Sequence, residues 1–182
     1  NSRNAPGTGN YPGRYKRRGK MEKGINEYIL GKFGMEGLDP RSYSSLALAY
    51  IGDGIYDLVV RSMVVAKGNA HVNDLHRMTS QLVKAHAQSQ MAGALKPELT
   101  EEEFAVYRRG KNAKSYTIAK NATVADYHRA TGFEALIGYL YLKNDLDRMM
   151  ELILTGLDRL EKIAHGADGQ GGSQNEVRGT DN

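Results

Sequence analysis

Residues 46–65, LALAYIGDGIYDLVVRSMVV, most narrow what this chain can become. The run is apolar at helical spacing for about five turns, longer than an ordinary strand and too interrupted by Asp53, Asp57 and Arg61 to cross a membrane. Within it Asp53 stands between Gly52 and Gly54, and Ala49 lies one turn earlier on the same face. A glycine inside a helix costs about 1 kcal/mol relative to alanine, so two glycines around one carboxylate imply that something comes close there.

Helical spacing recurs along the rest of the chain. Ile25, Tyr28, Ile29 and Phe33 predict a short first helix, stopped by Gly34, Gly37 and the Asp39-Pro40 pair. The long helix spans about residues 45 to 66, and KGNA breaks the chain after it. Asn73 or Asp74 is then expected to cap one continuous helix carrying Leu75, Met78, Leu82, Ala85 and Met91. In PELTEEEF, Thr100 and Glu103 have the spacing of a capping box that opens a helix ending near Gly110. A loop, KNAKSYTIAKNA, leads to Thr123. After it, Phe133, Leu136, Ile137, Leu140 and Tyr141 mark one helix, and Leu146, Met150, Ile153, Leu157, Leu160 and Ile163 mark the last. No alternating run is long enough for a strand and no repeat occurs, so the expected class is all-α. A chain of 182 residues with 40% hydrophobic side chains and seven methionines builds one core.

The Asp53 pattern returns in ATGFEALIGYLYL, where Glu134 sits in an apolar helix with Gly132 before it and Gly138 one turn after it. Two acids in two apolar helices, each beside small residues, predict close-packed helices that bring Asp53 and Glu134 together. Such a like-charged pair is costly unless a cation neutralises it. The plainer alternative is that each acid pairs with a basic side chain such as Arg61 or Lys84. The chain has no cysteine, so a metal held by carboxylates is expected to be hard, Mg²⁺ or Mn²⁺ rather than Zn²⁺. Two carboxylates holding a divalent ion with open positions suit in-line attack of water on a phosphodiester.

The stretch LAYIGDGIYDLVV resembles the signature helix of the ribonuclease III catalytic domain, and FEALIGYLYL resembles that family's second acidic helix. SSLALAYIGDGIYDLVVR, NDLHRMTSQLVKAHAQSQ and RRGKNAKS are similar to the small bacterial Mini-ribonuclease III branch, which has no double-stranded RNA-binding domain. The resemblance spans about residues 44 to 157. Larger enzymes of the family carry acids where this chain has Ala49 and Thr131, and the small branch is similar in lacking both.

The resemblance implies a homodimer of the ribonuclease III helical fold that cuts double-stranded RNA to 5′-phosphate and 3′-hydroxyl ends. It also implies a role in maturing the large-subunit (23S) ribosomal RNA precursor. Asp53 is then the metal ligand that also orients the attacking water, with Glu134 the second ligand. Asp57, one turn beyond Asp53, either approaches the metal through water or pairs with Arg61. Arg108, Arg109, Lys111, Asn112, Lys114 and Ser115, extended by Lys84 and His86, form the expected RNA-contacting set.

The overall charge of +4 belongs to one end, since residues 1–20 carry six basic side chains and no acid while residues 21–164 are balanced. Poor in aliphatic side chains, residues 1–20 and 165–182 are expected to be disordered tails around a helical domain at 21–164. Met21 is a candidate natural start, and a basic arm touching RNA is the alternative reading of the first tail. Without a signal-peptide pattern or cysteines, the expected location is the cytoplasm, with no membrane. Three rival functions are compatible with the sequence: a non-catalytic RNA-binding dimer of the same fold, a helical scaffold, and a hydrolase of small nucleotides.

Overall fold

The computed structural model describes residues 24–114 and 123–168; the two expected tails lie almost wholly outside these residues. Among the described residues all regular structure is helical: α1 (Ile25–Lys32), α2 (Ser45–Ala66), α3 (Val72–Val83), α4 (Ala85–Leu95), α5 (Glu101–Lys111), α6 (Val124–Leu142) and α7 (Leu146–Asp168). Short 3₁₀ turns at Pro40–Ser42 and Lys96–Glu98 precede α2 and α5.

The centre of the molecule is α6. From Ala130 to Tyr141 it is buried on nearly every side, as an all-round apolar helix requires, and α2, α4 and α5 pack around it. Tyr56 of α2 meets Phe133 of α6 edge-to-face with ring centroids 5.2 Å apart. Met149, Leu152, Ile153 and Leu157 give α7 its buried face, and Gly156 lets it close on Met91 of α4. At the other end of the chain, α1 contributes no buried residue and leaves Ile25, Tyr28, Ile29 and Phe33 exposed.

Capping chemistry sets the ends. Thr100 and Glu103 close the expected capping box on α5, with Thr100 Oγ1 accepting from the Glu103 amide at 3.3 Å and Glu103 Oε2 accepting from the Thr100 amide at 2.9 Å. Ser44 and Thr123 cap α2 and α6, at 3.1 and 3.0 Å. α7 continues to Asp168, past the expected domain limit at residue 164.

Two expectations are corrected between residues 71 and 95. Neither Asn73 nor Asp74 is the cap: α3 begins at Val72 after His71, and Asp74 lies in the first turn, where its charge suits the helix dipole and it pairs with Arg77 at 2.8 Å. The single helix expected here is two, because the backbone turns extended at Lys84 (ψ 148°). No proline or glycine marks that break. It is satisfied from a distance: the Tyr56 hydroxyl donates to the Leu82 carbonyl at 3.2 Å, and the Gln88 amide Nε2 donates to the Val83 carbonyl at 2.9 Å.

Candidate active site

The glycines beside the acids are answered by the α2–α6 crossing. A Cβ on Gly52 would lie 1.8 Å from the Glu134 carbonyl oxygen, and one on Gly138 would lie 2.0 Å from the Leu48 carbonyl oxygen. The two backbones therefore touch, and Gly52 rests on the peptide of Glu134 itself. This is what brings Asp53 and Glu134 to one place. Gly54 has a different setting, with nothing within 4 Å of where its Cβ would be.

Burial, and then the neighbouring Asp53 charge, push the Glu134 carboxyl up to about 7, while the Gln88 amide acts in the opposite direction. Asp53 is more open to solvent, and its carboxyl is raised by partial burial and by Asp57. Neither acid has a basic partner among the described residues. Arg61 Nε donates instead to Asp57 Oδ2, one turn along α2, and Lys84 sits exposed at the α3–α4 break. The plain ion-pair reading of Asp53 and Glu134 is thus not realised. Asp57 faces Asp53 but is engaged by Arg61.

The pair fits a small hard cation. Among the described residues no cluster of three or more metal-ligating side chains occurs. Two carboxylates are what an ion that keeps most of its waters requires, and the uncompensated charge at Glu134 is what such an ion relieves. The positions where larger relatives carry further acids are closed in this chain. Ala49 is buried, and buried Thr131 donates its hydroxyl to the Tyr127 carbonyl at 3.0 Å.

Basic residues gather at the end of α5. Arg108, Arg109, Asn112 and Lys114, from the end of α5 and the residues after it, line an open groove of about 480 Å³ with Ser44, Ser45 and Leu46 at the start of α2. Lys111 is half-buried and not among the lining residues, and Ser115 lies outside the described residues. His86 is held by Asp126 of α6, Nδ1 to Oδ2 at 3.2 Å. Sequence reasoning missed two contributors, Gln88 beside Glu134 and the α2 start in the basic groove. Both depend on contacts between distant segments.

The ribonuclease III domain model matches residues 46–145, a span that holds both acids and the basic end of α5. The chain belongs to the ribonuclease III family. Membership makes it an enzyme, a double-strand-specific endoribonuclease, in a family that is generally dependent on divalent metal. Its relatives include the Mini-ribonuclease 3 of Clostridium tetani, 40% identical over 152 residues that cover 82% of this chain and 99% of the relative. The Mini-ribonuclease 3 of Enterococcus faecalis is 48% identical over 117 residues, covering 63% of this chain and 89% of the relative. A crystal structure of a Fusobacterium nucleatum protein matches with a TM-score of 0.60 at 32% identity, over 64% of this chain and 95% of the other. No helix among the described residues is long and apolar enough to cross a membrane.

Proposed function

We propose that this ribonuclease III family member hydrolyses duplex RNA at the Asp53–Glu134 centre with Mg²⁺, for which Mn²⁺ substitutes, leaving 5′-phosphate and 3′-hydroxyl ends. The observation that supports the reading is the backbone crossing of α2 and α6 at Gly52 and Gly138, which brings Asp53 near enough for its charge to act on Glu134, with neither acid in an ion pair among the described residues. Bound by Asp53 and Glu134, the ion supplies Lewis-acid stabilisation of a phosphodiester oxygen and keeps both carboxylates ionised. Asp53, the more exposed acid, accepts a hydrogen bond from the attacking water and holds it toward the phosphorus. Glu134, fixed in the α6 core, supplies the rigid wall of the site. Arg108, Arg109 and Lys114 hold phosphates of the same duplex. Ser45, in the lining of that groove, lies eight residues and about 12 Å along the α2 axis from Asp53, within the span of a single duplex.

The working form is a homodimer. Tyr50 (85% exposed), Leu58 (54%) and Val65 (60%) form an apolar stripe on α2, with the bare backbone of Gly54 between the first two. An exposed stripe of this kind on the helix that carries Asp53 supports burial against a second copy. The substrate proposed from family resemblance is the precursor of 23S ribosomal RNA, processed in the cytoplasm.

The reading is tested with a labelled RNA duplex in Mg²⁺, in EDTA, and with Asp53→Asn and Glu134→Gln proteins shown to be folded. Metal-dependent staggered cleavage lost in both variants is expected. A folded wild-type protein that binds duplexes across several salt conditions and cuts none overturns it.

A further inference from the structure

Arg61 is the single basic side chain of α2. Asp53, Asp57 and Arg61 follow one another at four-residue intervals, each step rising about 6 Å and turning about 40°, so the three climb one side of the helix. A long side chain in a helix runs back over the preceding turn, and here Arg61 Nε donates to Asp57 Oδ2 at 2.5 Å. The stem of Arg61 borders the stripe of Tyr50, Leu58 and Val65, and the bond to Asp57 turns the guanidinium back toward the Asp53 side. Among the described residues that bond engages Nε; the two Nη groups form the outer fork of a side chain that is 50% exposed. An exposed pair at this spacing adds little to stability. Asp57 is also an unfavourable neighbour for the site, since its charge works against ionisation of Asp53. The pair is better explained by where it holds the guanidinium than by what it adds to the helix.

We propose that Arg61, drawn toward Asp53 by its ion pair with Asp57, binds a backbone phosphate of the RNA duplex on the side of Asp53 opposite the groove of Arg108, Arg109 and Lys114. Ser45 in that groove lies about 12 Å before Asp53 along α2, and the Cα of Arg61 lies about as far after it, so the two basic regions flank the acid. The inference rests on the duplex-cleavage reading and adds a contact that belongs neither to the two acids nor to the groove. A planar guanidinium fork suits two oxygens of one phosphate, and a phosphate that meets the Nη groups leaves the Nε bond to Asp57 in place. Standing between the phosphate and Asp57, the guanidinium also screens two negative groups from each other. Asp57 is then the tether that orients it.

The experiment is binding of a fluorescently labelled RNA duplex, in EDTA to withhold the metal from cleavage, by full-length wild type, Arg61→Gln and Arg61→Lys over a range of salt, with sedimentation of each protein. Arg61→Gln keeps most of the stem and removes the charge. It is expected to remain folded with the wild-type oligomeric state and to bind about tenfold more weakly at physiological salt. Its slope of log affinity against log salt is expected to be shallower by about one for each protomer that engages the duplex. Arg61→Lys, which keeps the charge without the fork, is expected to keep the slope and recover part of the affinity. In Mg²⁺, Arg61→Gln is expected to raise KM for the duplex and leave kcat at saturating duplex unchanged, because the phosphate is held alike before and during reaction. Wild-type slope and affinity in folded Arg61→Gln overturn the phosphate contact. Loss of the dimer in that variant also overturns it and assigns the guanidinium to the contact between copies. A fall in kcat at unchanged KM overturns it too, placing Arg61 in the metal centre. Failure of wild type to cut the duplex in Mg²⁺ is a separate result, which overturns the cleavage reading itself.

Discussion

At the scale of single residues, Gly52 and Gly54 are adjacent in kind and opposite in consequence. Gly52→Ala places a methyl group 1.8 Å from the Glu134 carbonyl, where only backbone could yield, so the α2–α6 crossing must open. A loss of about 3 kcal/mol in urea unfolding is expected, with loss of activity because Asp53 and Glu134 separate. Gly54→Ala meets nothing in the protomer and improves helix propensity, so any loss it causes is read in association instead. Glu134 gives the second residue-scale expectation. Its carboxyl, ordinarily near 4.5, is pushed to about 7 in the folded chain by burial and Asp53, so the native state holds that proton more tightly than the unfolded state. The contribution of Glu134 to stability without metal is therefore full below about 4.5 and is lost as pH rises from about 4.5 to about 7, by about 3 kcal/mol, while Glu103, held low by Arg148, contributes in the opposite sense at acid pH. Thermal unfolding in EDTA should show this decline, Glu134→Gln should flatten it, and Mg²⁺ should restore stability at pH 8, where the ionised pair is available.

At the scale of elements, long-range polar contacts decide what local pattern does not. Glu103 is almost fully buried and meets Arg148 of α7, Nε to Oε1 at 2.8 Å. Burial pushes this carboxyl up, but the Arg148 hydrogen bonds and the Thr100 amide together outweigh it and hold it below its usual range. Arg148→Met leaves that charge buried and unpaired, and urea unfolding is expected to show a cost of about 3–5 kcal/mol. Nothing in EEEF distinguishes Glu103 as the buried acid except its place as third residue after Thr100. The capping box was legible and its partner on α7 was not. The same division runs through the site. The bounds of α2 and the pairing of Asp53 with Glu134 were readable, because glycine spacing and apolar periodicity are local signals that survive folding. The break at Lys84 was not, because it is stabilised by Tyr56 and Gln88, residues 28 before it and four after it that no window around the break identifies. For the same reason nothing in the sequence singled out the start of α2, which folding places in a groove with Arg108, Arg109 and Lys114.

At the scale of the whole molecule, the dimer and the RNA surface can be tested in one measurement, because salt dependence counts ionic contacts. Each phosphate neutralised by a basic side chain contributes about one unit to the slope of log affinity against log salt concentration. Arg109 lines the groove and is exposed, so its removal should leave the core undisturbed. In a homodimer that engages one duplex with both protomers, Arg109→Ala deletes two contacts, and the slope is expected to become shallower by about two. A protomer that binds alone loses one, and a groove that does not meet RNA loses none. The binding is measured in an Asp53→Asn background, which prevents cleavage while leaving the groove intact. Adding Leu58→Asp, which puts a charge into the exposed apolar stripe of α2, should convert the first outcome into the second, with sedimentation showing monomers. A slope change of two that persists in a protein shown to be monomeric would mean that each Arg109 contacts two phosphates, and the stripe on α2 would then need another occupant.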